Sequence, residues 1–379
     1  MPKVTLREAK CEEADLRRLY PLCRLLLPKY AVCSYEEFER YCRGLWQDNP
    51  ARLPDQVFGW VLENEEGEIG GFLGIIPMRM KVGNDEVSAI GGHSWIVAPS
   101  VRAYSIGLYQ RIMALSQHHF LVIAAGGEAM SAIGDRPNSR ISRIPIQGFD
   151  RQFSWVLDPA KVLRWALEKR GCTRLAKAPH LAPLPTILKG VLRLGVRGGC
   201  GVRFRCHALS VRPVAAFTEE FDELWARAKG DYAVTIVRDA AFLNWRHLAI
   251  PNLLGRTSIL GCWDGGRLCG FVAIQRRAEG VGYPAGHYVV TDLFYDRRRE
   301  DVLMNLVNGA FEFAQRQRGS LFQVVNMSRE LAQFLLPQRP HVRTLGNWPY
   351  WYKAQSPDLA AVCRQQTWWP SGVDGEASI

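Results

Sequence analysis

Apolar and polar positions along the chain fall into two successive series of short strands and amphipathic helices. Residues 4–9 alternate in part, as a half-buried strand does. Behind Asp15, a candidate cap, Leu16, Leu19 and Leu22 recur at helical spacing, and Pro21 is expected to kink or end that helix. Ser34 followed by Glu37 forms a capping-box pattern, opening a helix to about residue 46 with Phe38, Tyr41 and Leu45 on one face. Two apolar runs, 57–62 and 69–76, flank Glu65-Glu66-Gly67 and predict a hairpin. A third run, 89–97, leads through Ala98-Pro99 into a helical pattern carrying Ile106, Ile112, Met113 and Leu115. Residues 120–125 then read as a buried strand bounded by Gly126-Gly127.

Residues 159–210 break this rhythm. A short helical pattern at 162–167 gives way to TRLAKAPHLAPLPTILKGVLRLGVRGG, rich in Pro, Gly and basic residues. From about residue 211 the first order returns: a helix at 219–228, strands at 257–263 and 268–276 around Asp264-Gly265-Gly266, a strand at 287–294, a helix at 301–317 and a strand at 321–325. The repeat of element order suggests duplication. The expected division is 1–158, a basic linker 159–210, a second domain 211–356 and a tail 357–379.

The length of 379 residues fits two cores, and 47% hydrophobic with 22% charged residues is globular composition. The formal charge of +11 is local: between 161 and 205 eleven Lys or Arg face one acid, Glu168, so that segment carries ten of the eleven charges. A helix there would align Lys189, Arg193 and Arg197 on one face. It reads first as a linker helix, and otherwise as a basic amphipathic element for an anionic membrane surface or an acyl carrier protein. The ten cysteines include no CxxC pair and no histidine at zinc-ligand spacing, so reduced thiols and no metal are expected. No run of eighteen uncharged apolar residues occurs, and the first residues lack a signal peptide's apolar core. The expectation is a cytoplasmic protein, peripheral at the inner membrane surface if the basic segment meets lipid.

The chemistry concentrates in Val97-Ala98-Pro99-Ser100-Val101-Arg102-Ala103-Tyr104-Ser105-Ile106-Gly107-Leu108. A strand ends, a tight turn follows, and small residues open a helix. Such a helix start offers backbone N–H groups and the positive dipole end to a pyrophosphate. Small side chains at 103, 105 and 107 permit close approach, and Arg102 adds fixed charge.

This stretch resembles the acyl-CoA loop of the GNAT superfamily of N-acyltransferases, Q/R-x-x-G-x-G/A after a strand. Arg102, Ser105 and Gly107 take its Gln/Arg, Gly and Gly/Ala places, with Ser105 and Ala103 departing from the glycines common there. The resemblance covers residues 1–155 and implies an α/β (α+β) fold of two GNAT-like domains, each a mixed, largely antiparallel twisted sheet flanked by helices. It implies acetyl-CoA or another acyl-CoA as cofactor, held by Arg102, Ala103, Tyr104, Ser105, Ile106 and Gly107, with backbone groups of Ile96 and Val97 on the pantetheine. A neutral amine would attack directly, so the enzyme needs orientation and a proton acceptor. His93, on the incoming strand, and Glu128, past the next one, are the candidate bases. Each also has an ordinary reading, as a strand histidine or a loop acid.

Many family members carry a tyrosine on the following helix to protonate the thiolate, and residues 129–133 hold none. The second half has Tyr295-Asp296-Arg297-Arg298-Arg299-Glu300-Asp301 at the loop position, without glycine and with acids that compete for the helix start. Arg238-Asp239, Asn244-Trp245-Arg246 and Pro251 resemble a pattern of two-domain GNAT proteins in bacterial polysaccharide and cell-envelope pathways; Asp239 capping a helix with Phe242, Trp245 and Leu248 accounts for most of it. The resulting expectation is acyl transfer to a small-molecule amine, such as an amino sugar or envelope precursor. Alternatives are a FemX-like transferase using aminoacyl-tRNA and a non-catalytic GNAT-fold binding protein. Nucleic acid is disfavoured because the basic segment lacks the interleaved aromatics of single-strand binders.

Overall fold

The apolar runs of the first half pair in the order in which they occur: β1 (Val4–Glu8), β2 (Gly59–Asn64), β3 (Ile69–Val82), β4 (Asp85–Val97) and β5 (Phe120–Ala124). Short turns make β2, β3 and β4 antiparallel neighbours, β1 pairs antiparallel with β2 across an intervening pair of helices, and a helix between β4 and β5 returns the chain and makes that pair parallel. The computed structural model describes residues 3–124, 127–146, 150–172, 174, 209–278, 283–344, 350–365 and 367–374. The second half repeats the arrangement with β8 (Ser210–Val214), β10 (Gly255–Asp264), β11 (Arg267–Arg277), β12 (His287–Tyr295) and β13 (Leu321–Val325), again with one parallel pair, β12–β13.

The sixth strand of each sheet comes from the other half of the chain. β15 (Tyr350–Lys353) lies antiparallel to β5, with β6 (Ser142–Arg143) beyond it, and β7 (Arg151–Val156) lies antiparallel to β13, with β14 (His341–Thr344) beyond it. The orders β1-β2-β3-β4-β5-β15-β6 and β8-β10-β11-β12-β13-β7-β14 therefore match strand for strand, and β9 (Val234–Ile236) adds to β3. Two compact units result: unit 1 comprises Met1–Pro145, Tyr232–Leu253 and Asn347–Ile379, and unit 2 comprises Ile146–Asp231 and Leu254–Gly346. The linear division at 158, 210 and 356 follows chain order; the units trade strands across it. Trp351 on β15 is fully buried, so truncating it to alanine should cost about 3–5 kcal/mol.

Helices cover both sheets. Unit 1 has α1 (Glu13–Leu26), α2 (Tyr35–Trp46), α3 (Ser105–Leu115) and α4 (Gly127–Gly134). The expected capping box is formed: Glu37 N–H donates to Ser34 Oγ at 3.2 Å, and Ser34 N–H to the Glu37 carboxylate at 2.8 Å. Pro21 does not end α1, which runs on to Leu26. The carbonyl that a proline leaves unbonded, that of Arg17, belongs to an exposed residue, as Pro21 is, and water can satisfy it. After α5 (Pro159–Lys169), α6 (Glu219–Ala228) packs on sheet 2. The helical pattern at 187–197, with Lys189, Arg193 and Arg197, lies outside the described residues. Among those described, no helix is long and apolar enough to cross a membrane.

Arg238-Asp239 and Asn244-Trp245-Arg246 belong to unit 1. Asp239 caps α7 (Ala240–Asn244), accepting from Phe242 N–H at 2.9 Å, and also pairs with Arg79. Trp245 Nε1 donates to Gly44 O of α2 at 2.7 Å. Arg238 is fully buried; it donates to Thr235 Oγ1 at 2.5 Å and to Ser371 Oγ at 3.0 Å, and lies 4.0 Å from Asp374. Tyr350 O–H and Ser371 N–H donate to the same Asp374 carboxylate at 2.9 and 3.0 Å. The network ties residues 371–374 to β9 and β15. Further helices are α8 (Glu300–Arg316) and α9 (Arg329–Leu335) in unit 2 and α10 (Pro357–Gln365) in unit 1.

Candidate functional site

β4 carries an extra residue against β3. Gly74 pairs with His93 and Phe72 with Ile96, so Leu73 alone faces Ser94 and Trp95, and Ser94 adopts φ +50°. A bulge of this kind re-aims the strand. On its other edge β4 pairs with β5 only at Ala89, Ile90 and Gly91, three residues short of the bulge. From Gly92 onward the two parallel strands separate. Ile96 and Val97 therefore lie on a strand edge that β5 has left. Ligands of open sheets favour the carboxyl ends of such diverging strands.

The separation leads into the expected turn. Residues Pro99–Tyr104 wind as a 3₁₀ turn that runs into α3. Ala98 N–H donates to Gly70 O at 2.8 Å and Val101 is buried against Gly70, anchoring the turn to β3. Arg102 and Ala103 are exposed, Tyr104, Ser105 and Gly107 half-buried, and Ile106 is 53% exposed. The first turns contain no acidic residue and no side-chain cap, so the helix end keeps its positive potential. One feature differs from the sequence expectation. The 3₁₀ winding pairs some N–H groups internally, Val101 with Ala98 O and Ser105 with Arg102 O, leaving more of the anion attraction to Arg102 and the dipole.

Alongside α3 lies a cleft of about 730 Å³ whose walls include Ile106, Tyr109 and Met113 of α3 and Ile133, Arg136 and Arg140 following β5. This is within the range of small-molecule sites. Tyr109 stacks on Trp95 of the bulge at 5.9 Å, and burial pushes its phenol up. Arg136 and Arg140 stand four apart in GDRPNSR, a stretch whose polarity reads as a turn; their spacing is the signal that could have marked them.

The two candidate bases are placed differently. His93 is 5% exposed, its ring packed against Gly74 between Trp46 and Phe72, with Nδ1 3.0 Å from Ser94 Oγ. An amine reaching it must enter this aromatic enclosure. Glu128 lies in the first turn of α4, and its side chain is outside the described residues.

Unit 2 keeps the bulge but closes the gap. Ala273 pairs with Asp292 and Ile274 with Val290, leaving Thr291 extra, and β12–β13 pairing runs to Val290, up to the bulge itself. Its helix start holds Glu300 and Asp301, with Arg299 bonded to Asp301 at 2.7 Å and Asp264 at 3.0 Å. These carboxylates occupy the arginine and the dipole that a phosphate would use.

Neither a protein-family model nor a curated protein sequence matches the chain. Solved structures do. A Saccharomyces cerevisiae N-myristoyltransferase with bound myristoyl-CoA aligns over 96% of this chain and 84% of its own at 11% identity and TM-score 0.55. A GCN5-related N-acetyltransferase from Anabaena variabilis aligns over 94% and 74% at 13% identity and TM-score 0.58. A probable N-acyltransferase from Enterococcus faecalis aligns over 92% and 72% at 9% identity and TM-score 0.55. The chain has the two-domain GNAT-like fold of these proteins.

Proposed function

We propose that unit 1 binds an acyl-CoA thioester in the gap between β4 and β5 and passes its acyl group to an amine. The parting of β4 from β5 after Gly91, with an uncapped, acid-free helix start beyond it, carries this reading. It is supported by the N-myristoyltransferase neighbour, which holds myristoyl-CoA, and by the acetyltransferase neighbour. The bound thioester would supply an activated carbonyl carbon. Backbone groups of Ile96 and Val97 orient the pantetheine arm, Arg102 and the turn Ala103–Gly107 neutralise the pyrophosphate, and Arg136 and Arg140 add positive potential along the cleft. The amine nitrogen bonds to the carbonyl carbon, the carbon–sulfur bond breaks, and the nitrogen's proton goes to His93 or Glu128, directly or through water, while CoA leaves as the thiolate and takes up a proton from solvent. Acetyl-CoA or another acyl-CoA is the donor. A small-molecule amine is the acceptor, with an amino sugar or cell-envelope precursor the specific candidate, acting on the cytoplasmic side of the membrane.

Titration calorimetry with acetyl-CoA and longer thioesters tests the assignment. One equivalent per chain is expected, and Arg102→Glu should weaken binding about tenfold or more by placing a negative charge beside the phosphates. Two equivalents, or unchanged affinity in the folded variant, would remove this site.

A further inference from the structure

Two paths lead from the turn Pro99–Tyr104. One is the gap between β4 and β5, which suits a pantetheine arm. The other is the cleft of about 730 Å³ beside α3. Ile106 stands at their junction, just behind the turn and first in the cleft wall. Tyr109, Gln110, Met113, Ala114 and Gln117 continue that wall at helical spacing, so the cleft runs about 16 Å along α3, away from the turn.

The two walls differ in chemistry. On α3, Ile106, Tyr109 and Met113 are apolar or aromatic. Across from them stand Arg136 and Arg140, both exposed, in the stretch that follows α4. Arg136 donates from Nε to Ala132 O at 3.0 Å, and neither arginine has an ion pair among the described residues. Burial raises the Tyr109 phenol and the charge of Arg140 draws it back, so the field of that guanidinium reaches the aromatic wall. The one acid between 129 and 140, Asp135, is held by Arg143 through Nε and Nη2, each at 2.7 Å. Between Glu86 and Glu128 the chain has no acid at all. An apolar and aromatic wall facing two uncommitted guanidinium groups fits a base joined to a phosphate. An alkyl chain would gain nothing from the arginines, whereas their planar forks match phosphate oxygens.

Resting on the acyl-CoA site proposed for unit 1, we infer that this cleft holds the nucleotide end of CoA, with Arg136 and Arg140 on its 3′-phosphate. The adenine lies against Ile106 and Tyr109. The pyrophosphate stays at the turn, with the pantetheine leaving it into the gap and the nucleotide into the cleft. The consequence is selection of the donor. A thioester of free CoA is preferred over the same acyl group on 4′-phosphopantetheine, free or attached to a carrier protein, because those donors lack the nucleotide.

The test is calorimetry on the full chain with CoA and dephospho-CoA, which differ only in the 3′-phosphate. CoA should bind about tenfold or more tightly, the worth of charge-assisted bonds at an exposed site. Changing Arg136→Gln and Arg140→Gln together should weaken CoA about tenfold and leave dephospho-CoA unchanged, so that the difference closes. Both residues are exposed, and retained cooperative unfolding shows that the double variant folds. Arg102→Glu, in contrast, should weaken both ligands alike, because it acts on the pyrophosphate they share. Equal affinity for CoA and dephospho-CoA in the native protein would overturn the inference and leave the acyl-CoA site standing. So would a double variant that keeps full CoA affinity or loses both ligands equally. No binding of CoA at all would remove the acyl-CoA site and this inference with it.

Discussion

Gly70→Ala tests whether the turn before α3 is held where the acyl-CoA site needs it. A Cβ at residue 70 would lie 2.9 Å from Val101 Cγ2 and 3.4 Å from Cγ1. Ordinary contact begins near the larger distance, so Val101 must retreat by roughly half an ångström, and it is buried in a close-packed core. Overpacking of this size costs about 1–3 kcal/mol, or roughly 2–12 °C in melting temperature for a unit of this size. Val101 lies within the turn, directly before Arg102, so acetyl-CoA affinity should fall about tenfold. Val101→Ala removes the obstructing methyls, and the double variant should be more stable than the summed single losses by at least about 1 kcal/mol. Thermal unfolding and calorimetry of the four proteins complete the cycle. Additive losses would show that Gly70 and Val101 are not in contact. Normal acetyl-CoA affinity in a clearly destabilised Gly70→Ala protein would show that the turn does not hold the ligand.

Three further outcomes are expected. His287 stays neutral in the fold down to about pH 4 but takes up its proton near 6.5 when unfolded; its contribution is present above 6.5 and is lost as pH falls to 4, about 3 kcal/mol in all. Urea unfolding across that window should show the loss in the native protein and a flatter profile in His287→Gln; identical slopes would contradict it. Asp374→Ala leaves buried Arg238 without its carboxylate and should cost about 3–5 kcal/mol by the same assay, a loss below about 1 kcal/mol counting against the network. Glu128→Ala or His93→Ala should slow acyl transfer about 10²–10⁴-fold with little change in acyl-CoA affinity, and full turnover in both would show that neither is the base.

The main elements were legible because local chemistry sets them. The capping box at Ser34 and Glu37, the hairpin around Gly67 and the apolar runs of β10–β13 are short-range signals, and the same order in both halves points to one fold used twice. The exchange of β7 and β15 between sheets was not legible. Each is a four- to six-residue strand, and which edge it joins depends on pairing over long chain separations. The Arg238-Asp239 stretch illustrates the same limit: its helix cap is local, but its packing on Gly44 and its pairing with Asp374 bridge more than a hundred residues. The turn at 98–107 was visible from small residues after a strand. Its 3₁₀ winding and the burial of His93 between Trp46 and Phe72 follow from packing, which spacing does not encode.

Hydrogen–deuterium exchange with and without acetyl-CoA tests the central claim most directly, because it reads both units at once. Protection should appear at residues 92–97 and 99–115 of unit 1, and residues 291–301 of unit 2 should be unchanged. Protection confined to 291–301, or none at 92–115 under saturating ligand, would contradict an acyl-CoA site in the β4–β5 gap.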